Sequence, residues 1–530
     1  MQKIANLKDY IKSLFEESSP HLQKQREERV IYQFNIDDIN QVEISTIEQD
    51  SRMVKDKSAF FCLIEDNEKA ILYINQALRN GASVVVANFD KISYNFQESI
   101  IISKNPVIFI DTVKPFNLLV SFLKTLYSPL PKNIYAITGT NGKTSTAEFI
   151  RQIFELVAIK SASIGTLGVK TNNQNLDDKF INSSLTTPDI VSLYKNLAIL
   201  KKNQIDDVAI EVSSIGLEQQ RIAGIPLAIG LFTNFTQDHL DYHQSMEAYF
   251  ASKMMLFTEY LTDNGIAILN SDIPEFVDIA RICKQHHIKI VEFGLKAQEN
   301  IGNVRIVKNI LVNQKQNISF LINGKEYNAI IDIIGDFQVM NLAGAISAIN
   351  GCHHFNQEKL QEIFDKLSYL CGVSGRMQRV AKFADNCCVF IDYAHTPDAL
   401  YKSLDLIKSI KNKGKIIVLF GCGGDRDKTK RPIMGKIASE MANIAIITDD
   451  NPRLENADSI RKDIIKGVEN KNFIEIPNRE EAIKKAIKMM NPNDILLIAG
   501  KGHEKYQIIG SEKLLFDEQK IILTAIKNLK

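Results

Sequence analysis

At 530 residues the chain exceeds what one hydrophobic core usually covers, so roughly two to four domains are expected. Its 45% hydrophobic and 24% charged residues are those of a soluble globular protein. With 64 basic side chains against 63 acidic ones and no like-charge block, neither nucleic acid nor an anionic membrane is suggested as a bulk partner.

Met1 to Glu17 mixes Lys, Asp and Glu among apolar positions and lacks the apolar core of a signal peptide. No later run reaches the roughly 18 uncharged apolar residues of a membrane span, so a cytoplasmic protein is expected. The cysteines (62, 283, 352, 371, 387, 388 and 422) are odd in number and form no C-x-x-C pair, which fits reduced, buried thiols.

In chain order, Ala59-Phe60-Phe61-Cys62-Leu63 reads as a strand, Ala70 to Asn80 as a helix stopped by Gly81, and Ser83-Val84-Val85-Val86 as a buried strand. Ser51 and Arg52, just upstream, read as surface polar residues. Pro129 and Pro131 mark a boundary and close a first domain at 1–130.

The next stretch carries the strongest local signal. An apolar strand, Ile134-Tyr135-Ala136-Ile137, runs into Thr138-Gly139-Thr140-Asn141-Gly142-Lys143-Thr144-Ser145, and apolar residues at helical spacing follow from Thr146. Glycines admit backbone N–H groups close to an anion, and a helix N-terminus adds partial positive charge. Lys143 can reach outer phosphates, and the Thr144 hydroxyl can bind Mg²⁺. The first glycine stands only three residues before the second, shorter than the general phosphate-loop spacing.

Downstream, Thr186-Thr187-Pro188-Asp189 precedes a helix, and the strand from Asp207 ends in Glu211-Val212-Ser213-Ser214. A carboxylate at a strand's C-terminal end is suitably placed for the Mg²⁺ of a nucleotide. A second strand, Ile229 to Asn234, leads to Asp238-His239-Leu240-Asp241-Tyr242-His243, readable as a site or as a solvated polar turn. Lys253, among Phe250, Met254 and Phe257, reads as a lysine snorkelling from an amphipathic helix. Strands, a helix and a hairpin are expected from Asn264 to Asn323. Gly335-Asp336-Phe337-Gln338 then opens a small-residue helix whose Asn341 can read an adenine edge or be satisfied by backbone. The pairs His286-His287 and His353-His354 read as surface or core residues rather than metal ligands.

From Gly372 a third segment repeats strand, polar loop and helix. Its strands end in Asp392-Tyr393-Ala394-His395, Gly421-Cys422-Gly423-Gly424-Asp425-Arg426, Asp449-Asp450-Asn451-Pro452-Arg453 and Gly500-Lys501-Gly502-His503-Glu504. That repetition predicts a doubly wound parallel sheet with functional loops along one edge. The fold class is therefore α/β, with divisions at 1–130, 131–372 and 373–530.

These motifs in this order resemble the Mur ligases, ATP-dependent amide-forming enzymes of peptidoglycan precursor synthesis. The resemblance spans nearly the whole chain and is strongest to members that add meso-2,6-diaminopimelate to UDP-MurNAc-L-Ala-D-Glu. It implies a uridine-nucleotide-binding N-terminal domain, a central P-loop ATPase-like domain and a Rossmann-like C-terminal domain that takes the amino acid. It also implies ATP and Mg²⁺, small-molecule substrates, a cytoplasmic location and a monomer.

By family pattern, Gly139, Thr140, Asn141, Gly142, Lys143, Thr144, Ser145, Asn341, Arg376 and Asp392 meet ATP. Thr144, Glu211, His239 and Lys253 surround the metal, with Lys253 carbamylated, and Lys143, Glu211, His239 and Lys253 support the chemistry. Ser51, Thr186, Thr187, Ser213, Gln219 and Arg221 fall where the family binds the UDP-MurNAc-dipeptide. Arg426, Asn451, Pro452, Arg453, Gly500 and Glu504 fall where it binds diaminopimelate, and lysine-adding relatives lack the equivalent of Arg453. Ile215, Gln338 and Gln378 depart from the histidine, asparagine and glutamate common at those places. L-lysine or another amino acid is the alternative substrate. A folate-polyglutamylating relative gives no reason for an N-terminal nucleotide-sugar domain, and a non-catalytic ATP-binding regulator would be expected to lose metal ligands that are all present.

Overall fold

A computed structural model describes residues 28–34, 43–95, 103 and 106–529, apart from 173, 184, 313–314, 384–385, 412 and 470–471. Met1 to Glu17, read above against a signal peptide, lies outside them.

Three large sheets occupy successive stretches of the chain. The first has five strands in the order Glu28–Phe34, Val107–Thr112, Ala82–Ala87, Ser58–Phe61 and Thr46–Glu48; only the Glu28–Phe34 pairing is antiparallel. Ala82–Ala87 is buried at every position, as expected of a β-branched run covered on both faces. The intervening helix, Asn67–Arg79, starts where the Asp66 carboxylate accepts from Lys69 N and stops before Gly81.

The second sheet has ten strands and carries the phosphate-loop motif. Leu227–Phe232, Asn133–Thr138 and Asp207–Glu211 are parallel neighbours in that order, so the loops after their C-terminal ends meet at one edge. Residues of Asn133–Thr138 alternate between two cores. Ile134 and Ala136 pack on the side that continues into the N-terminal sheet, while Tyr135 and Ile137 pack with the helices Lys143–Leu156 and Asp336–His353. His353 Nε2 on the latter donates to Asp207 Oδ1 at 2.7 Å, which gives it a structural partner. The expected hairpin gains a third strand, Lys325–Ile331, so Val304–Val312, Lys315–Ile322 and Lys325–Ile331 form an antiparallel extension.

The third sheet runs Gln378–Phe383, Cys387–Asp392, Ile495–Ala499, Ile416–Phe420, Ile444–Ile447 and Phe473–Glu475. All pairings are parallel except the first, made by an edge strand that the sequence reading did not anticipate. Its six residues are only partly buried and include Arg379 and Lys382, so it lacks the apolar run that revealed its neighbours. Cys387 and Cys388 are free, buried thiols. Among the described residues no helix is long and apolar enough to cross a membrane.

Candidate active site

The loop after Thr138 is braced by the adjacent strand's end. Asn234 accepts from Thr140 N through its carbonyl and from Asn141 N through Oδ1, both at 2.9 Å, and Thr233 Oγ1 donates to Asn141 O at 2.6 Å. Gly142 sits at φ +87° at the start of the helix Lys143–Leu156, and a Cβ there would strike Asn341 Oδ1. A left-handed non-glycine residue costs about 1–2 kcal/mol. If the loop cradles phosphates as the resemblance implies, Gly142→Ala should weaken ATP binding by about tenfold or more, read by titration calorimetry; unchanged affinity would show that the loop tolerates a Cβ.

Lys143 is folded back onto its own loop, Nζ donating to Gly139 O at 2.8 Å and Thr140 O at 2.9 Å. Thr144 Oγ1 donates to Glu211 Oε2 at 2.8 Å and receives Arg376 NH2 at 3.0 Å. Glu211 also accepts from Thr166 N and Thr166 Oγ1. Burial pushes the Glu211 carboxyl up, against the nearby Arg376 charge and the Thr144 bond, and burial pushes the Lys143 ammonium down, against Glu211 and Asp238.

Lys253 does not snorkel. It is 1% exposed, with Nζ donating to the same Gly139 carbonyl at 3.0 Å and lying 4.4 Å from the centre of the Tyr249 ring. Burial, then the charge of Lys143, drives its pKa well below the usual lysine range. Burial brings the His239 imidazole down to about 4, despite Asp238, so at neutral pH its ring is uncharged and can donate a lone pair. Asp238, which burial alone would raise, is held well below the usual carboxylate range by His395, His239 and Lys430.

Among the described residues no three His, Cys, Asp or Glu side chains converge as a closed metal cage. One buried carboxylate (Glu211), a hydroxyl (Thr144) and an uncharged imidazole nonetheless fit Mg²⁺. That ion keeps several waters and is commonly held by one or two carboxylates plus substrate phosphates.

Beside the loop opens a cavity of about 390 Å³ whose walls include Asn141, Gly142, Asn341, Phe337, Arg376 and Asp392. Ile273, Phe293 and Leu406 add apolar surface that no sequence motif disclosed. Asp392 receives Met377 N, Tyr393 N and Ser403 Oγ, so it organises the turn that carries Arg376. Of the departures from the family pattern, Gln338 lines this cavity and accepts from Asn341 Nδ2, while Gln378 Oε1 caps Gly375 N at 2.9 Å with no charge required.

Thr186, Thr187, Ser213, Gln219 and Arg221 lie together. Arg221 NH1 donates to Thr187 O at 2.8 Å, its Nε donates to Gln219 Oε1 at 3.2 Å, and Thr187 Oγ1 lies 3.2 Å from Ser213 Oγ. Thr166 Oγ1 links Thr186 to Glu211. Ser51 stands apart in the N-terminal sheet region, and it is not a surface residue: it is 4% exposed and donates to Gln76 Oε1 at 2.7 Å.

In the third segment, Asn451 Nδ2 donates to Glu504 Oε2 at 2.9 Å, and Arg453 NH1 donates to Gly424 O at 2.7 Å. Pro452 O packs against Gly424, Gly500 against the Asp450 carboxylate, and Arg426 NH1 lies 3.8 Å from Asp241 Oδ2 of the central stretch. Arg376 joins the two halves. Its guanidinium stacks 4.4 Å from the Tyr393 ring, which in turn lies 5.5 Å from the ring of His503, next to Glu504. Tyr393 and His503 were not singled out from sequence because neither motif position distinguishes a stacked ring from a solvated one.

Residues 137–349 match the Mur ligase middle domain, and residues 375–502 match the Mur ligase glutamate ligase domain. The chain belongs to the Mur ligase family. Two relatives, from Rickettsia bellii (strain RML369-C) and Rickettsia montanensis, each bear the name UDP-N-acetylmuramoyl-L-alanyl-D-glutamate--2,6-diaminopimelate ligase. They are 41% and 42% identical to this Mur ligase over 479 and 480 residues, in both cases 90% of this chain and 95% of the relative. A solved structure of a protein of that same name superposes with a TM-score of 0.60 at 28% identity, covering 92% of this chain and 95% of its own. The MurF ligase of Thermotoga maritima, solved in complex with ADP, shares the Mur ligase fold with a TM-score of 0.61 at 14% identity, covering 91% and 97%.

Proposed function

We propose that this Mur ligase joins meso-2,6-diaminopimelate to the D-glutamate γ-carboxylate of UDP-MurNAc-L-Ala-D-Glu, with conversion of ATP to ADP and phosphate, in peptidoglycan precursor synthesis. The observation that carries the reading is near full-length identity of about two residues in five with relatives bearing that ligase name, together with Arg453 in the loop after Asp450-Asn451. We assign residues 1–130 to the uridine nucleotide, 131–372 to ATP and 373–530 to the incoming amino acid. The three successive sheets support that division.

A carboxylate does not condense with an amine at neutral pH because oxide is too poor a leaving group. The γ-carboxylate oxygen attacks the γ-phosphorus of ATP, the bond to the β-phosphate oxygen breaks, and an acyl phosphate and ADP result. The diaminopimelate amine then attacks the carbonyl carbon, the C–O bond to phosphate breaks, and the amine proton leaves with the phosphate. Gly139 to Ser145 cradle the nucleotide phosphates, and Lys143 swings from its own loop carbonyls to the outer phosphate. Arg376, already on Thr144, faces the same charge. Phosphoryl transfer of this kind is largely positioning and electrostatic stabilisation. Thr144, Glu211, His239 and carbamylated Lys253 would hold Mg²⁺, which when bound neutralises phosphate charge. Thr186, Thr187, Ser213, Gln219 and Arg221 orient the dipeptide end, with Ser51 toward the uridine end. Arg426, Asn451, Pro452, Arg453, Gly500 and Glu504 receive diaminopimelate, Arg453 taking its distal carboxylate and Glu504 its distal ammonium.

The test of the mechanism uses UDP-MurNAc-L-Ala-D-Glu carrying a heavy-oxygen label in the γ-carboxylate, with ATP, Mg²⁺ and meso-diaminopimelate. Mass analysis should find one labelled oxygen in each phosphate released. Unlabelled phosphate would contradict the acyl-phosphate route.

A further inference from the structure

Lys501 holds no role in the site described so far, yet its side chain is fully buried between the two loops that carry Asn451 and Glu504. Nζ donates to Asn451 Oδ1 at 2.8 Å and to Glu504 Oε2 at 3.3 Å, and it lies 3.7 Å from Asp450 Oδ1. The Tyr506 ring centre is 5.9 Å away. An ammonium is retained in such a place only with partners of opposite or accepting character, and Asn451, Glu504, Asp450 and the Tyr506 ring supply them.

Its position decides which way an amide points. An asparagine side chain has one accepting and one donating end. Asn451 Oδ1 receives both Lys501 Nζ and, at 3.0 Å, Ile508 N, so Nδ2 is left to face Glu504 Oε2. With the amide reversed, two donors would face an NH₂ group and a carbonyl would face a carboxylate. Lys501 and Asn451 together engage Oε2 of Glu504, and among the described residues no hydrogen bond engages Oε1. That oxygen is free to receive a ligand ammonium.

Lys501 also sets the charge of the pocket. Asp450 and Glu504 bring two carboxylates together, and Lys501 cancels one of them. A ligand whose far end carries both an ammonium and a carboxylate suits a pocket with this partial cancellation and an arginine beside it. A ligand whose far end is an ammonium alone suits a more negative one.

We infer that Lys501 is a positioning residue that orients Asn451, holds Glu504 and tunes the pocket's charge, so that an amino acid with a distal amino-carboxylate is favoured over one with a distal ammonium alone. The inference rests on the diaminopimelate reading above. It is tested by steady-state kinetics of the full-length protein and of Lys501→Met and Lys501→Gln, with each substrate varied in turn. Methionine removes both the bond and the charge; glutamine keeps a donor for Asn451 without the charge, and serves also if the methionine variant does not fold.

Lys501→Met should raise KM for meso-diaminopimelate by about tenfold or more, and lower the kcat/KM preference over L-lysine by a similar factor. KM for ATP and for the UDP-MurNAc-dipeptide should stay within about twofold of wild type. Lys501→Gln should recover part of the KM but not the preference. Parallel changes in all three KM values, or a loss confined to kcat and melting temperature, would overturn the inference by reducing Lys501 to a scaffold residue. A diaminopimelate KM unchanged by Lys501→Met, with a wild type that makes the amide, would overturn it alone, whereas a wild type that makes no diaminopimelate amide would overturn it together with the function on which it rests.

Discussion

Lys253→Met should lower turnover by about a hundredfold or more while raising the melting temperature. The two effects have one cause. Lys253 is enclosed, shares the Gly139 carbonyl with Lys143, and appears in none of the ion pairs among the described residues. A cation there is poorly solvated and repelled, which is why burial and Lys143 lower its pKa. The uncharged amine is the form that adds CO₂, so the same environment favours the carbamate that the family pattern implies. On the proposed reading, carbamylation would convert a misplaced cation into an anion beside Lys143 and would supply an oxygen donor for Mg²⁺. Methionine has similar volume and no charge, so it removes the electrostatic cost and the function together.

The sign of the pH dependence follows. In the unfolded chain Lys253 titrates near the ordinary 10.5, and folding lowers that value. The unfolded state therefore binds more protons between the depressed folded pKa and 10.5, and stability in that window rises with pH. In CO₂-free buffer the melting-temperature advantage of the methionine variant should be greatest at the low end of the window and should shrink as pH approaches 10.5. Differential scanning calorimetry at several pH values measures it. A variant less stable than wild type, or a gap that widens with pH, would show that Lys253 is not an electrostatically strained group.

Arg453→Leu should cut kcat/KM for meso-diaminopimelate by about tenfold to a hundredfold and leave that for L-lysine nearly unchanged, since a charge-assisted guanidinium–carboxylate pair contributes ~1.5–3 kcal/mol. Arg453 is unusual in its backbone as well as its side chain. It stands at φ +53°, held there because its N donates to Ile508 O at 3.1 Å and its carbonyl accepts from Gly510 N at 2.8 Å. The turn between the strands Tyr506–Ile509 and Glu512–Leu515 thus imposes a conformation that a bulky residue does not choose on its own. With NH1 on Gly424 O, the guanidinium keeps further donors for a second acceptor. Arg453→Lys should not rescue the loss, because an ammonium offers no planar fork. Equal losses with both amino acids would remove Arg453 from substrate choice and leave it a structural clamp.

The parts of the site written within one strand-loop-helix unit were readable before the fold. Gly142, Lys143 and Thr144 follow one another, and the apolar run before them fixes which end of the sheet they occupy. The four loops of the third segment were legible for the same reason, and their order supplied the family resemblance.

Residues whose meaning depends on distant packing were not. Lys253 has the helical spacing of a snorkelling side chain, and only the approach of Gly139, 114 positions earlier, closes the space around it. Ser51 read as surface because nothing nearby in sequence announces Gln76 as its partner. The Gln378–Phe383 edge strand has too little burial to print an apolar run. Lys501 lay inside a recognised motif, but its contact with Asn451 spans 50 positions and no local pattern foretells it.

The most direct measurement offers the purified protein equal concentrations of meso-diaminopimelate and L-lysine, with ATP, Mg²⁺ and UDP-MurNAc-L-Ala-D-Glu, and follows ADP release and product mass. The expected result is one ADP per amide formed, with the diaminopimelate adduct the dominant product. Equal amounts of the two adducts would contradict the substrate assignment, and ADP release without any amide would contradict the reaction itself.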